Sequence, residues 1–283
     1  MQATGEWKVR QATQADEPPL RGLIGSSDRV MLRFRAGTLA NYLTREPFLL
    51  LEGDGKLAAF LACSTSHLPM ARLAAAGLVD GMPVSLWLDQ LLRPCIARLR
   101  ELGATSLSFI GSAAWLAGTL PEQGFRLISH VAAYEKSDLS IPQAGSRVVD
   151  VRPVEHGDLP ALVTMDALGF HPLWRNSIET FEQWRDTLPY FAVATVGESQ
   201  VGYCYCSVEA GHGHLVRMAV HPTWQGQGIG TRLLADAMRF FQEVDARRIT
   251  LNTQEENERA QWLYRRFGFR LIGREAVALW KDL

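Results

Sequence analysis

The sequence predicts a mixed α/β fold made of two tandem units, each with a mostly antiparallel central sheet flanked by helices. The length of 283 residues suggests two domains of about 140 residues each. Two segments also recur at a nearly constant offset. "VRQATQADEPPL" from Val9 returns as "VRPVEHGDLPAL" from Val151, 142 residues later, and "GFRLI" begins at Gly124 and again, 144 residues later, at Gly268. Such recurrence indicates a duplicated unit.

The join between the copies is predicted by composition. Proline, glycine and serine interrupt the pattern over residues 141–147, in "DLSIPQAGSRVVD". Residues of these types are typical of a loop between two structured segments. We therefore expect a first domain over residues 1–140 and a second over residues 148–283.

The second copy shows the elements of one α/β unit in order. "VVDVRP" predicts a short strand, and Asp158 predicts the cap of a helix that runs toward Leu168. Three β-rich runs over 189–220 are separated by glycines, which favours an antiparallel meander. The next helix has apolar residues at helical spacing: Leu233, Leu234, Ala237, Met238 and Phe241. A strand "RRITLNT", a helix over 257–266 and two final strands complete the copy.

The composition excludes several classes of protein. Lysine plus arginine number 29 against 30 for aspartate plus glutamate, so we expect no nucleic-acid partner and no anionic membrane surface. The start of the chain lacks a secretion signal, and no stretch approaches about 18 unbroken apolar residues, so we expect a cytoplasmic protein. Cys204 and Cys206 alternate along a strand-like run; we expect them to point to opposite faces, with no disulfide and no metal site.

The stretch "VHPTWQGQGIGTRLL" places three glycines within five positions, directly before an apolar helical pattern. A strand that turns through glycines into a helix exposes backbone N–H groups at the positive end of the helix dipole, where a phosphate can approach closely. The stretch lacks the Lys-Ser/Thr ending of the nucleoside-triphosphate loop, and its antiparallel context differs from that of the dinucleotide fingerprint. By itself, a glycine run is also explained by a tight turn or by helix–strand packing.

Two motifs together resemble the GNAT superfamily of N-acetyltransferases. "MAVHPTWQGQGIGTRLL" is similar to the family's signature, Val-x-Pro followed by Gln/Arg-x-x-Gly-x-Gly/Ala, with Gln225, Gly228 and Gly230 at its core. "NERAQWLYRRFGF" is similar to the second motif, an asparagine followed by alanine, Leu-Tyr and Gly-Phe, with Asn257 and Tyr264. Both occur in the family's order and spacing, over residues 150–283.

The resemblance implies acetyl-coenzyme A (acetyl-CoA) as cofactor. Its pyrophosphate is expected on the turn that follows Gln225, at the amides of Gly226, Gln227, Gly228, Ile229, Gly230 and Thr231. Its pantetheine arm is expected along the backbone of Met218, Ala219 and Val220, where relatives carry a bulge that separates two strands. An amide exposed there could polarise the thioester carbonyl.

Tyr264 and Asn257 are the next candidates for the site. They are seven residues apart, so they lie on one face of the helix. By resemblance Tyr264 is the catalytic residue that donates a proton to the departing thiolate, and Asn257 contacts the cofactor. Tyr264 could instead be a half-buried core aromatic, and Asn257 only a helix cap.

The base and the acceptor site are less defined. Some relatives carry a glutamate five residues before the asparagine, where this chain has Asn252. Candidates near the strand ends are Glu209, His212, His214 and His221, and deprotonation through ordered water is an alternative. The aromatic segment with Phe170, His171, Trp174 and Arg175 either forms a wall of the acceptor pocket or packs against the first copy.

The first copy resembles the family less, because "PVSLWL" stands where the second has the glycine turn. Ala113 and Leu120 stand in place of Asn257 and Tyr264. We therefore expect a degenerate first copy and a catalytic second one that acetylates a primary amine of a small molecule, in a monomer or homodimer. The alternatives are a protein or peptide N-acetyltransferase and a non-catalytic module that senses acyl-CoA.

Overall fold

The structure, a computed structural model, describes residues 7–34 and 36–283. The strands in these residues are β1 Trp7–Gln11, β2 Val30–Leu32, β3 Phe48–Gly53, β4 Lys56–His67, β5 Met70–Leu78, β6 Ser106–Gly111, β7 Arg126–Lys136, β8 Asp150–Pro153, β9 Tyr190–Val196, β10 Ser199–Glu209, β11 His212–Val220, β12 Arg248–Gln254 and β13 Arg270–Asp282. The helices are α1 Glu17–Ser26, α2 Ala40–Leu43, α3 Val84–Trp87, α4 Arg93–Glu101, α5 Ala114–Thr119, α6 Leu159–Gly169, α7 Ile178–Thr187, α8 Ile229–Glu243 and α9 Glu258–Arg266.

The chain forms two compact units that exchange strands. The first unit contains residues 1–130 and 276–283, and the second contains residues 131–275. In the first unit, residues 277–282 of β13 pair with β6. In the second unit, residues 131–136 of β7 pair with β12. The predicted boundary at 140–148 follows the sequence repeat, which carries no sign of this exchange, and the two predicted final strands are one continuous strand.

The sheet of the second unit has the order β7, β12, β11, β10, β9, β8. Neighbouring strands pair antiparallel, except that β11 and β12 pair in parallel. One face of the sheet packs against α8 and α9, and the other packs against α6 and α7. This mixed, mostly antiparallel sheet between helices confirms the predicted fold class.

Helix α8 supplies much of the core of the second unit. The apolar residues that predicted it are all buried: Leu233, Leu234, Ala237, Met238 and Phe241. They recur every three or four residues, so they form one stripe that faces the sheet. Truncating one of the leucines to alanine would lower the free energy of unfolding by about 2–5 kcal/mol. This packing fixes α8 on the sheet and thereby positions the turn that precedes it.

An ion pair recurs in the two copies at the same offset as the sequence repeat. Arg10 binds Asp16 in the first unit and Arg152 binds Asp158 in the second, with closest contacts of 2.5 and 2.7 Å. Asp158 precedes α6, as predicted for a cap, but its carboxylate accepts from the amide of Glu155 and from Arg152. The Arg152 hydrogen bond is the largest cause that lowers the pKa of Asp158 to about 2.

The two neighbouring cysteines correct one prediction. Cys204 and Cys206 are both buried in the cluster of side chains that contains α8, so they lie on the same face of β10. Residues two apart in a strand share a face, and the prediction of opposite faces was wrong. Both are free thiols within the apolar core.

The sheet of the first unit has the order β1, β3, β4, β5, β6, β13, and β2 pairs with β5. As in the second unit, the one parallel pair among these strands, β5 with β6, is formed by the second and third strands from one end of this order. In the described residues of both units, no helix combines the length and the apolar character that crossing a bilayer requires.

Candidate active site

The glycine turn joins β11 to α8. Gly228, directly before the helix, has a φ of +79°, and Gly226 has a φ of +85°. A residue with a Cβ pays about 1–2 kcal/mol in this left-handed region, so the backbone conformation explains both glycines. Gly230 differs, because a Cβ there would lie at ordinary contact distances, 3.5 Å from Leu263 and 3.7 Å from Val220.

The start of α8 offers backbone donors. The N–H groups of its first turn, residues 229–231, have no partner within the helix, because the carbonyls they would need lie before its first residue. They stand at the positive end of the helix dipole, which stabilises an anion. The turn therefore has the geometry of a phosphate-binding site.

A basic side chain that is not among the predicted site residues borders the turn. Arg259 of α9 donates from Nη1 to Gln225 Oε1 at 2.5 Å, and the Gln225 amide group donates to the Val220 carbonyl at 3.2 Å. A Cβ on Gly226 would lie 3.4 Å from Arg259 Nη2. The signal for it was an arginine two residues after Asn257, inside the motif "NERAQWLYRRFGF".

Strands β11 and β12 separate next to the turn. Their parallel pairing runs only from His212 with Arg248 to Leu215 with Leu251. In the part of the chain that the structure describes, the later residues of the two strands do not pair with each other, although β11 continues to Val220. The result is an opening between the strands that ends at the glycine turn.

A bulge marks the point of separation. The pairing of β10 with β11 shifts at Val216, since Tyr205 is opposite Arg217 and Cys206 is opposite Leu215. The family resemblance implies a bulge at residues 218–220, and the structure has it just before them. An extra residue bends the strand, which accounts for the divergence from β12.

The backbone of Met218 and Val220 faces the opening. The His221 N–H donates to the Val201 carbonyl of β10 at 2.9 Å, so His221 faces β10. Backbone groups in an antiparallel ladder alternate in direction, so Ala219 also faces β10 and its two neighbours face away. Of the three predicted residues, two therefore present N–H and C=O groups to the opening.

Tyr264 lies on α9 with 6% of its surface exposed. Its ring packs against Tyr134, with 6.3 Å between centroids, and against Phe269, with 6.1 Å. Burial raises the pKa of Tyr264, so the phenol keeps its proton at neutral pH. Within the described residues its hydroxyl has no hydrogen-bond partner, which leaves the O–H group available as a donor.

Asn257 is the residue directly before α9, and its side-chain oxygen accepts from the Ala260 N–H at 3.1 Å. This contact is that of a helix cap, one of the two interpretations of the sequence. The amide NH₂ group takes no part in the capping bond. Capping therefore does not use up the donors that a cofactor contact would need.

The candidate bases at the hairpin lie far from Met218. His212 and His214 are six and four residues before it on β11, which corresponds to roughly 20 and 13 Å along the strand. His214 Nδ1 lies 2.8 Å from the Thr250 hydroxyl, and burial lowers the pKa of this histidine. Glu209 lies before His212 on β10, on the other side of the hairpin, so the structure does not bring these groups to the opening.

The opposite face of β11 carries a buried ion pair that the sequence analysis missed. Asp166 of α6 is fully buried, and it contacts Arg217 Nη2 at 2.7 Å and the Tyr203 hydroxyl. Arg217 Nε donates to the Tyr203 oxygen at 3.2 Å, and its guanidinium stacks over Phe170 at 3.6 Å. Burial raises the pKa of Tyr203. An arginine within the apolar run "HLVRMAV" was the signal, since buried charges are rare unless paired.

The remaining predicted residues of the aromatic segment are more exposed. His171 Nδ1 accepts from the Leu173 N–H at 3.2 Å, and Arg175 Nε donates to the Phe170 carbonyl at 3.0 Å. His221 also lies at the surface, with its Nδ1 2.9 Å from the Thr223 hydroxyl. These contacts are local, and Phe170 is the member of the segment that reaches β11, through Arg217.

The first unit has the same strand separation, but its edge is covered. Strands β5 and β6 pair only from Met70 to Arg72 on β5, and β2 then pairs with the following part of β5, from Val30 with Gly77 to Leu32 with Ala75. This part of β5 lies 142 residues before the Met218 region of β11. The backbone edge that is open in the second unit is thus taken by the chain itself in the first.

Two further contacts close the first unit's counterpart of the cofactor site. The Leu78 N–H donates to the Arg29 carbonyl at 3.2 Å and the Arg33 N–H to the Ala74 carbonyl at 2.9 Å. Trp87, which corresponds to Ile229 at the same offset, packs edge-to-face on Trp115 with 5.2 Å between centroids. Large aromatic rings therefore lie where the second unit has the start of α8 and the first part of α9.

Comparisons with known proteins agree with this geometry. Residues 161–269 match the model of the acetyltransferase (GNAT) family. The chain is 26% identical over 118 residues to a Bacillus subtilis (strain 168) protein named as a candidate alanine N-acetyltransferase for ribosomal protein bS18, covering 42% of this chain and 78% of that protein. It is 28% identical over 141 residues to the mycothiol acetyltransferase of Acidimicrobium ferrooxidans, covering 46% of this chain and 45% of that one, so it spans less than half of the latter's length.

A solved structure matches the whole chain. The tandem GNAT protein from the clavulanic acid biosynthesis pathway superimposes with a TM-score of 0.66 and 13% identity, over 98% of both chains, which shows a shared tandem fold. Together with the family match, these findings identify the chain as an acyltransferase. The match over residues 161–269 is to the GNAT family of acetyltransferases, whose members generally use acetyl-CoA.

Proposed function

We propose that the second half of the chain is an acetyl-CoA-dependent N-acetyltransferase that acts on a primary amine of a small molecule. The observation that carries this proposal is the open edge of β11, where the backbone of Met218 and Val220 faces the opening beside the glycine turn. These residues fit the cofactor. The unpaired amides at 229–231 suit its pyrophosphate, and a free strand edge suits the amide groups of its pantetheine arm.

Each residue then has a chemical task, and acetyl-CoA supplies an acetyl group activated as a thioester. The Met218 N–H hydrogen-bonds the thioester oxygen and stabilises the charge that develops there. Tyr264 holds a proton for the sulfur, since a thiol of ordinary pKa ~8.5 leaves more readily when it is protonated. An alkylamine of pKa ~10.4 must first lose a proton, and we assign that step to water because the hairpin histidines are distant.

Calorimetric titration with acetyl-CoA tests the cofactor site. The wild type is expected to bind one molecule per chain, and Gly228→Glu is expected to lose binding because a carboxylate would replace the phosphate-binding surface. Gly211→Glu is the matched control. It adds the same charge at a φ of +78°, but beyond the far end of β11, roughly 30 Å away by strand length.

The two variants give a sharp contrast. Both carry the cost of a side chain in the left-handed region, about 1–2 kcal/mol, so this cost cannot produce a difference in binding. A Cβ on Gly228 also comes within 3.3 Å of the Ser146 amide nitrogen, whereas one on Gly211 meets open space, so thermal unfolding of both variants is measured alongside the titration. Absence of binding by the wild type, or equal binding by both variants, would contradict the proposal.

A protein amine is a second candidate acceptor, because the Bacillus relative is named for ribosomal protein bS18. Release of coenzyme A can be followed with a library of small amines and, separately, with purified bS18. A higher kcat/KM with the protein would favour this candidate. If the protein binds the cofactor but releases no coenzyme A with any small amine or with bS18, the result would instead favour a non-catalytic sensor.

A further inference from the structure

The buried pair of Arg217 and Asp166 lies where an acceptor has to approach, an inference that rests on the proposed function. Arg217 directly precedes Met218 on β11, and the side chains of consecutive strand residues point to opposite faces. The glycine turn and α8 occupy the Met218 face, while Arg217 lies on the face covered by α6 and α7. With the cofactor on the α8 side, the amine reaches the opening from the Arg217 side.

Three contacts hold the guanidinium of Arg217 in place. One face stacks on Phe170 at 3.6 Å, Nε donates to Tyr203 at 3.2 Å, and Nη2 contacts Asp166 at 2.7 Å. A guanidinium has five N–H donors in one plane. The hydrogen bonds of the described residues include none from Nη1, and Nη2, although 2.7 Å from Asp166, is buried without a hydrogen bond of good geometry; with 13% of the side chain exposed, this edge of the guanidinium is the part left for a ligand.

A second donor lies beside the same carboxylate. The backbone N–H of Asn176 donates to Asp166 Oδ2 at 2.9 Å, which places this residue next to the ion pair. Its side-chain Nδ2 is buried and meets no hydrogen-bond geometry with a described residue, although the amide lies close enough to the Tyr205 hydroxyl to oppose the rise that burial causes in the pKa of Tyr205. A buried N–H without an acceptor is costly, and an oxygen atom of a ligand would satisfy it.

We propose that the acceptor amine carries a carbonyl or carboxylate oxygen close to its amino group, and that Arg217 and Asn176 hydrogen-bond this oxygen. Asp166 is a positioning residue that orients Arg217. It also neutralises the guanidinium charge, so an incoming ammonium group is not repelled. Amino-acid amides, free amino acids and peptide amino termini share this chemistry, whereas simple alkylamines lack it.

The test compares two amines that differ in one group. Phenylalaninamide carries a carboxamide on the carbon that bears the amine, and phenethylamine has hydrogen there. We expect the wild type to prefer the amide by roughly tenfold to hundredfold in kcat/KM, the effect of one or two hydrogen bonds to charged or buried donors. The double variant Asp166→Asn/Arg217→Gln keeps the site neutral and nearly the same size, and it is expected to lose this preference.

The measured quantity is the ratio of the kcat/KM values for the two amines. It is compared between the wild type and the variants, so the difference between the pKa values of the two amines cancels. Arg239→Gln, which removes an exposed ion pair on α8, serves as the control and should keep the wild-type ratio. Titration of the enzyme–coenzyme A complex with each amine gives the same contrast without turnover. Free phenylalanine and a peptide with amino-terminal phenylalanine separate the carboxylate from the carbonyl form.

The outcomes distinguish this inference from the proposed function. An equal ratio in wild type and double variant, or a wild-type preference for phenethylamine, would overturn the role of Arg217 while leaving an N-acetyltransferase in place. Failure to acetylate any amine would overturn both. A loss of preference confined to the double variant, with acetyl-CoA binding unchanged by calorimetry, would support the inference.

Discussion

Tyr264→Phe isolates the phenol as proton donor. The substitution keeps the ring, which packs against Tyr134 and Phe269, so no cavity forms. It removes one hydroxyl that has no hydrogen-bond partner among the described residues, and we expect a change in stability below about 1 kcal/mol. General acid catalysis is typically worth 10²–10⁴-fold; because a thiolate is already a good leaving group, we expect a fall in kcat of about tenfold to hundredfold, or about 1.4–2.7 kcal/mol.

The pH profile carries a second, independent expectation. An acid must hold its proton to act, and burial raises the pKa of Tyr264 above its ordinary value near 10. The advantage of wild type over Tyr264→Phe should therefore stay constant from about pH 6 to pH 9. It should decline only when the pH passes the raised pKa. Initial rates of thiol release at saturating acetyl-CoA measure both proteins across this range.

Tyr134→Phe is the matched control for this experiment. Its ring belongs to the same aromatic group, but its hydroxyl donates to Gln261 at 3.0 Å. Loss of that bond should cost about 1 kcal/mol of stability and leave kcat within about twofold. If Tyr264→Phe keeps wild-type kcat, or if the two variants lose equal activity, the phenol is not the proton donor.

Three further expectations follow from single contacts. Arg259→Gln should weaken acetyl-CoA binding about threefold to tenfold at low salt and less at high salt, measured by calorimetry, whereas Arg266→Gln on the same helix should not. Asp158→Asn should lose about 1–2 kcal/mol in urea unfolding at pH 7. Since its arginine partner lowers the pKa of Asp158 to about 2, this difference should shrink as the pH falls from about 4 toward 2. Asp166→Asn should cost about 3–5 kcal/mol because it leaves Arg217 buried without a counter-charge, and Arg217→Gln in the same chain should recover most of that loss.

The cofactor side of the site was predictable from sequence because its residues are local. The turn at 226–230 and the helix that follows depend on glycines and an apolar stripe within one short segment. Tyr264 and Asn257 occupy one helix, so their spacing alone placed them on one face. Their roles as catalytic and cofactor-binding groups remain predictions.

The acceptor side depends on contacts between distant segments, which spacing does not show. Asp166 and Arg217 are far apart in the chain and meet only because α6 packs on β11. The sequence did show each as a charge in an apolar run, but not their pairing. The strand exchange is similar, since β7 brings Tyr134 from the first half of the sequence to the ring of Tyr264.

The two copies differ in whether the strand edge that would bind the cofactor is open or paired. Both contain one parallel pair of strands that separates after a few residues, with a bulge in the preceding antiparallel pair. In the second unit no described strand pairs with the edge of β11 beyond Leu215 on the β12 side. In the first unit β2 pairs with the equivalent edge of β5. A pantetheine arm would have to displace a formed strand there, and Val84 and Leu86 stand where the second unit has Gly226 and Gly228. We therefore expect one molecule of acetyl-CoA per chain, and a second calorimetric site of similar affinity would refute this account of the first copy.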